Sequence, residues 1–311
     1  KCGNVLQIFE DKPRCFDAWE LEPTIDLKKE EISLCKKITC NKNSLGWEVS
    51  FVWNYHKSTV FQTMYVYDKK KRIDFKTNVD WHEKQKLLKV AFPVDVRAVE
   101  ARFDIQNGNI KRPITQNTSW EAAKFEVAAH KWVDLSETGY GLSLLNDCKY
   151  GYDVKEDTIR LSLLRSPLYP DYAADQGNHE FTYAIIPHKK EWYDADIEKE
   201  AFDLNNPIYA VKGEQIWDKG SYFTFSKDNL LVDAIKQAEN EDAIILRFHE
   251  YKGQRGFVNI QSALSIEAWC ECNLMEEGDN YSKDAMEVFL LPYEIKTLKL
   301  KIKNESSRSS R

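Results

Sequence analysis

The sequence predicts an all-β protein, and three observations carry that prediction. Apolar and polar residues alternate over long stretches, turn-forming dipeptides separate those stretches, and aromatic residues are abundant (9 Trp, 15 Tyr, 15 Phe) where glycine is sparse (12). Alternation at a period of two sends successive side chains to opposite faces of a strand, and bulky aromatic side chains suit a pleated surface. No βαβ rhythm runs through the chain, which argues against a parallel sheet with a ligand cleft at its switch point. At 311 residues the chain has room for two domains and a large core.

The first clear strand is Trp47 to Tyr55, where Trp47, Val49, Phe51, Trp53 and Tyr55 share one face and Glu48, Ser50 and Asn54 the other. Further strands are predicted over Val60–Tyr67, Ile73–Trp81, Leu87–Phe92, Val96–Ile105, Phe125–Val133, Thr158–Leu164 and Phe181–Ile186. Between them stand turn sequences such as Asn107-Gly108-Asn109 and Ser136-Glu137-Thr138-Gly139. Strands at such short spacing read as a sandwich.

The pattern changes near Glu191. Across Glu191–Phe202 the apolar groups Tyr193, Ile197 and Ala201 fall on one helical face, which predicts a short connecting helix. Asn205-Asn206-Pro207 then stops any helix, because proline lacks an amide and restricts the residue before it. A second set of strands follows over Ile244–Phe248, Ser265–Leu274 and Ile295–Ile302. These signals divide the chain into residues 1–204, a second domain over 205–303, and a polar tail over 304–311 expected to be disordered.

Composition removes several functions. Forty-four Lys and Arg against fifty Asp and Glu leave a net charge of −6, so the basic surplus needed to track nucleic acid is missing. Apolar runs such as Ala243–Leu246 are far below the ~20 residues of a membrane span. Seven cysteines lack the paired CxxC spacing of a zinc cage and suit reduced thiols in a cytoplasmic setting. The first ten residues lack a secretory h-region, so the sequons at Asn117, Asn280 and Asn304 read as chance matches. The chain starts without Met and is expected to be cut from a longer protein.

Few residues stand out chemically. Asp80-Trp81-His82-Glu83 offers a histidine between carboxylates, but no second histidine follows at helical spacing and a structural role is favoured. The long loop Leu164–Glu180 invites two readings. Either Arg165, Asp175 and His179 hydrogen-bond sugar hydroxyls beside the faces of Tyr169 and Tyr172, or Asp175 caps a turn and Arg165 ties the loop down. Asn117–Trp120 and Leu145–Tyr152 also interleave polar and aromatic residues. Cys148 has no neighbouring histidine and reads as a buried thiol rather than a nucleophile. No catalytic set emerges from the residues alone.

The same segments resemble the C-terminal part of glycoside hydrolase family 38, the retaining α-mannosidases, of the cytosolic/vacuolar and bacterial type. The resemblance runs through Leu6–Pro13, Phe16–Trp19, Asp80–Glu83, Lys86–Lys89, Arg112-Pro113, Asn117–Glu121 and Ala129–Ser136. It continues through Gly139–Gly141, Asn146–Gly151, Leu163–Pro167, Ala174–Gly177, His179–Tyr183, Ile245–Glu250 and Tyr293–Thr297. It implies a galactose-mutarotase-like supersandwich, lacking its first strands, followed by a smaller C-terminal β-sandwich. The strand beside that gap is then expected to present an unpaired edge, covered by a separate chain or by a crystal neighbour.

The resemblance further implies that catalysis, with its Asp nucleophile, acid/base carboxylate and zinc-like divalent metal, belongs to an N-terminal catalytic domain absent from this sequence. This fragment is therefore expected to be inactive alone, to bind no metal, and to brace and wall the sugar site. Its partners would be that catalytic domain, a mannose-containing oligosaccharide and other copies of the full-length enzyme, with no nucleic acid or membrane. The residues placed toward the sugar are Tyr140, Asp147, Lys149, Tyr150, Arg165, Asp175 and His179. Golgi and lysosomal relatives have an arginine before the glycine of the Gly139-Tyr140-Gly141 loop where this chain has Thr138, and Tyr140 is the expected substitute. Two competing roles are a stand-alone carbohydrate-binding module displaying Trp120, Tyr140, Tyr150 and Tyr172, and an assembly surface on the last domain.

Overall fold

The structure is a computed structural model that describes residues 2–213 and 220–303. The expected polar tail at 304–311 lies outside the described residues. The chain divides into two units, Lys1–Ile105 with Ile110–Ile208, and Gln106–Asn109 with Tyr209–Arg311.

In chain order the strands of the first unit are β1 (Val5–Glu10), β2 (Lys29–Glu31), β3 (Cys35–Lys42), β4 (Gly46–Tyr55), β5 (Ser58–Tyr67), β6 (Ile73–Trp81), β7 (Lys86–Pro93) and β8 (Glu100–Ile105). They continue with β9 (Gly108–Pro113), β10 (Val127–Ala128), β11 (Trp132–Glu137), β12 (Tyr140–Asn146), β13 (Gly151–Lys155), β14 (Thr158–Arg165) and β15 (Gly177–His188). Helix α1 (Ser119–Ala122) is a single turn and α2 (Ile197–Asn205) follows the last strand. One sheet has the order β10-β13-β14-β7-β1-β2, and the other β3-β4-β5-β6-β15-β12-β11-β8-β9.

The two sheets share one core. Leu6, Ile8, Leu88, Val90, Phe92, Ile159 and Leu161 of the six-stranded sheet meet Trp53, Val60, Phe75, Val79, Trp81, Phe103, Val133, Leu144, Phe181 and Tyr183 of the nine-stranded sheet. Full burial of each aliphatic side chain contributes about 1.5–3 kcal/mol, which makes this interface the main stabilising feature of the unit. The longest edge strand of these two sheets is β3, which carries Lys36, Lys37 and Lys42, charges that discourage pairing with a second chain.

Three predicted elements are corrected. The strand placed at Val96–Ile105 starts only at Glu100, because the chain leaving β7 turns tightly: the amide of Val94 donates to Asp157 O at 2.6 Å and that of Val96 to Val94 O at 2.9 Å. The strand placed at Phe125–Val133 is two strands in different sheets. Val127–Ala128 pairs with β13, and the chain then crosses over, with His130 N donating to Asp104 O at 3.1 Å before β11 begins at Trp132.

The connecting helix runs over Ile197–Asn205 rather than Glu191–Phe202. Trp192 is buried against Trp132, their rings 5.0 Å apart, and Asp196 adopts a left-handed φ of 54°, so the preceding residues form a turn. Its buried residues are Ile197, Glu198 and Ala201.

The second unit contains β16 (Phe223–Phe225), β17 (Leu230–Gln237), β18 (Ile244–Glu250), β19 (Gly256–Ser262), β20 (Ile266–Cys272), β21 (Glu287–Leu290) and β22 (Ile295–Ile302). They form a three-stranded sheet, β16-β19-β21, and a four-stranded sheet, β17-β18-β22-β20, whose core includes Leu246, Phe248, Val258, Val288, Leu298 and Leu300. The expected all-β architecture with a smaller C-terminal sandwich is present.

Candidate functional site

Strands β7, β13 and β14 give one set of side chains to the core and the other to the far side of the six-stranded sheet. That far side carries Lys89, Asp153, Arg160 and Ser162. Lys89 is 2% exposed, yet it is fully partnered: its Nζ donates to Asp153 Oδ2 at 2.6 Å and to Glu126. Arg160 Nε donates to Asp153 Oδ1 at 2.6 Å and its Nη1 to Asp26 Oδ1 at 2.8 Å, while Lys155 also reaches Asp26. Ser162 Oγ donates to Glu126 Oε1 at 2.6 Å. Asp26 arrives on the 3-10 turn Pro23–Lys28.

Burial alone would push the Lys89 ammonium down, but Asp153 and Glu126 outweigh it and hold the group charged. Burial likewise opposes ionisation of Asp26, and hydrogen bonds from Arg160 and Lys155 overcome it, holding the carboxyl at about 2. Charges so enclosed persist only when paired and hydrogen-bonded. Sequence reasoning missed this network because its members are scattered from Asp26 to Arg160, and only the sheet register brings them together.

At the end of β14 the predicted residue Arg165 forms a clamp. Its guanidinium donates to both oxygens of Asp11, to Ala18 O at 3.2 Å and to Glu20 O. Asp17 Oδ2 accepts from Leu168 N at 3.2 Å, and Asp175 Oδ2 from Arg165 N at 3.2 Å. The segments around Asp11–Glu20 and Ser166–Gln176 are thus locked to one another, and Arg165 ties the loop down. They display Phe16, Trp19, Tyr169 and Tyr172 to solvent, with Trp19 edge-on to Tyr169 at 6.3 Å. Beside them a groove of about 380 Å³ is lined by Trp19, Leu21, Glu126, Gly151, Ser162, Arg165 and Asp175.

His179 belongs to this end of the molecule, its Nε2 lying 3.0 Å from Asp175 O. Asp147, Lys149 and Tyr150 form the turn that leads into Gly151 of the groove. Asp147 Oδ2 accepts from Thr182 N at 2.8 Å, whereas its buried Oδ1 has no partner among the described residues. Lys149 Nζ lies 4.7 Å from the Phe181 ring centre, and exposed Tyr150 meets His130 edge-on at 5.5 Å.

Tyr140 stands apart from this group. It begins β12, whose other end is Asn146, so roughly 20 Å of strand separates it from the Asp147 turn. Under its hairpin Asp134 is buried, with Oδ1 accepting from Ser143 Oγ at 2.6 Å and lying 2.7 Å from His188 Nε2, and Oδ2 accepting from Ser136 Oγ at 2.7 Å. Gly141 is required there, because a Cβ would come within 2.5 Å of His188 and Ser136.

The remaining candidates have structural partners. Glu83 is buried and accepts from Ser58 Oγ at 2.9 Å, while exposed His82 pairs with Asp80 at 2.7 Å. In Asn117–Trp120, Thr118 Oγ1 caps α1 by accepting from Glu121 N at 3.2 Å. Cys148 is exposed rather than buried, because it sits on the Asp147–Tyr150 turn; partial desolvation and Asp147 push its thiol up to about 11, which disfavours a thiolate nucleophile. Among the described residues no group of three His, Cys, Asp or Glu side chains is placed to hold a metal ion.

Comparison with solved structures shows the fold, and comparison with family models shows the class of protein. An alpha-mannosidase from Enterococcus faecalis V583 has a TM-score of 0.80, covering 96% of this chain and 38% of that one at 16% identity, a likeness of fold. The chain belongs to glycosyl hydrolases family 38: that family's C-terminal domain matches residues 1–173 and its C-terminal beta sandwich domain residues 229–298. Alpha-mannosidase G of Dictyostelium discoideum is 38% identical over 96% of this chain, Alpha-mannosidase 2C1 of Homo sapiens 36% over 89%, and the Alpha-mannosidase of Saccharomyces cerevisiae 33% over 96%. The chain spans 29%, 27% and 31% of those relatives, less than a third of each.

Proposed function

We propose that this chain is the C-terminal, non-catalytic β portion of a retaining α-mannosidase that hydrolyses terminal α-mannosides, and that it braces and walls the active site of the N-terminal catalytic domain. The observation that carries the reading is the match to both C-terminal domains of the family in relatives that extend well beyond it. Retaining glycoside hydrolysis needs two carboxyl groups about 5–5.5 Å apart, a separation that survives only in a rigid frame. The Arg165 clamp supports the wall: it fixes two loops through backbone and carboxylate acceptors, and their aromatic rings face solvent beside a groove. The zinc-like metal and the reacting carboxylates belong in this reading to the catalytic domain, and no chemical step is assigned to the residues described above.

The partners proposed are that domain, a mannose-containing oligosaccharide and further copies of the full enzyme, in the cytoplasm. The test is hydrolysis of an aryl α-mannoside. The 311-residue chain alone is expected to give no turnover. Within the complete enzyme, Arg165→Ala is expected to lower kcat/KM by about tenfold or more, since small displacements of positioning groups cost up to about 10²-fold. Turnover by the chain alone overturns the division of labour, and an unchanged kcat/KM overturns the wall. Exposure of Trp120, Tyr140, Tyr150 and Tyr172 favours a second reading, a carbohydrate-binding module. Saturable heat on titrating the chain with mannose oligosaccharides would support it.

A further inference from the structure

A larger cavity, of about 860 Å³, opens on the far side of the six-stranded sheet, within the range of about 300–1,000 Å³ usual for small-molecule sites. Part of its floor is apolar. Val5 and Ala91 are cross-strand partners, with Arg160 opposite Ala91 on β14, and Ile114 closes one side.

Gln7 lines the same cavity from the position two residues along β1 from Val5. Its side chain is 5% exposed, and its Nε2 donates to Glu31 Oε1 at 3.0 Å. That bond fixes the orientation of the carboxamide, because a flipped group would set two oxygens against each other. The carboxamide oxygen is left buried and without a partner among the described residues. A buried acceptor in this state calls for a donor, which a hydroxyl at the cavity wall would supply.

Charge narrows the ligand. The lining contains Lys29, Lys155 and Arg160 against Asp26, Glu31 and Glu156, three cations and three anions. Arg160 and Lys155 are already engaged with Asp26. A phosphate or carboxylate ligand would find no surplus positive field, whereas a neutral polyhydroxylated ring has C–H faces for the floor and hydroxyls for the rim.

We propose that this cavity is a binding site for a neutral glycosyl unit, with the Gln7 carboxamide oxygen accepting from a sugar hydroxyl over the Val5–Ala91 floor. The choice of a sugar rests on the function proposed above, but the site itself is tested without any measurement of hydrolysis.

The experiment is an NMR titration of the 311-residue chain with methyl α-mannoside. Saturable shifts are expected at the Gln7 side-chain amide and at Ala91. Gln7→Leu keeps the volume and removes the acceptor, and should weaken binding about threefold to tenfold, the range for one neutral hydrogen bond. Thr158→Trp fills the cavity from its rim and should abolish the saturable shifts. Thermal melts confirm that each variant is folded, and where Gln7→Leu does not fold, Thr158→Trp decides. Absence of saturable shifts at Gln7 and Ala91 overturns the proposal, as does undiminished binding in a folded variant or a response confined to the groove lined by Trp19 and Arg165. An enzyme inactive on mannosides whose cavity still binds the sugar would instead remove the proposed function and leave this site standing.

Discussion

The two faces of the six-stranded sheet bury residues in opposite ways. Toward the nine-stranded sheet, β7 and β14 present Leu88, Val90, Ile159 and Leu161, all essentially inaccessible. On the other side the same strands present Lys89 and Arg160, also buried, closed over by the turn carrying Asp26 and by Glu126. The first face is held by dispersion and the hydrophobic effect, which tolerate changes of shape but not loss of volume. The second combines a small apolar cluster of Phe9, Ile25 and Leu87 with a set of ion pairs, which tolerates neither the loss of one member nor the entry of an unpaired charge. Depth of burial therefore does not reveal which physical term stabilises a surface.

The sharpest way to break this contrast is a pair of single substitutions read by urea denaturation. Lys89→Ala leaves Asp153 without its ammonium and is expected to cost about 3–5 kcal/mol. Leu161→Ala on the inner face is expected to cost about 2–5 kcal/mol through its cavity. The distinguishing variant is the quadruple change Lys89→Met, Glu126→Gln, Asp153→Leu, Arg160→Met, which should return stability to within about 1 kcal/mol of the parent because the remaining Asp26 keeps Lys155 and no enclosed ion is left uncompensated. If the quadruple variant is as damaged as Lys89→Ala, the ion-pair account of the outer face is wrong.

A smaller effect is expected where charges are enclosed without balance. Burial, and then the neighbouring Glu198, raise the Asp104 carboxyl to about 7, with Lys131 opposing. A carboxyl raised on folding favours the protonated form, so this position is most favourable below about pH 4 and loses stability as pH rises through about 7. Asp104→Asn should therefore be more stable than the parent by about 1–2 kcal/mol at pH 8 and show no gain at pH 4. An equal gain at both values would dismiss the titration.

The smallest effect concerns Asp26, whose carboxyl sits at about 2. A depressed carboxyl contributes stability above its free value near 3.8, and that contribution disappears as pH falls toward 2. The side chain is 34% exposed, so the contribution is discounted to about 1 kcal/mol or less. Asp26→Asn should flatten the acid limb of stability between about pH 4 and pH 2, and an unaltered limb would show that Arg160 and Lys155 gain nothing from it.

Much of the scaffold was legible because alternation is a local signal. Trp47–Tyr55, Ile73–Trp81 and Thr158–Leu164 each carry enough period-two contrast to be recognised. The crossing at Ala129–Lys131 was not, since a chain that changes sheets keeps its apolar character while changing partners. Tyr140 and Tyr150 look alike in sequence, both aromatic and beside glycine, yet β12 holds them at opposite ends. Arg165 was singled out with two roles open, and only the position of Asp11, far away in the chain, fills its guanidinium with protein acceptors.

By itself, then, the sequence determined the β architecture, the interruption near Asn206-Pro207 and, through its motifs, the family, because periodicity, turn chemistry and motif residues are all written locally. Tertiary structure alone decided which face of the sheet became a charged interior, which loops Arg165 joins, and that the Gln7 oxygen lies buried in the lining of a cavity. Those outcomes depend on strand register, which sets residues far apart in the chain side by side and which no single segment encodes.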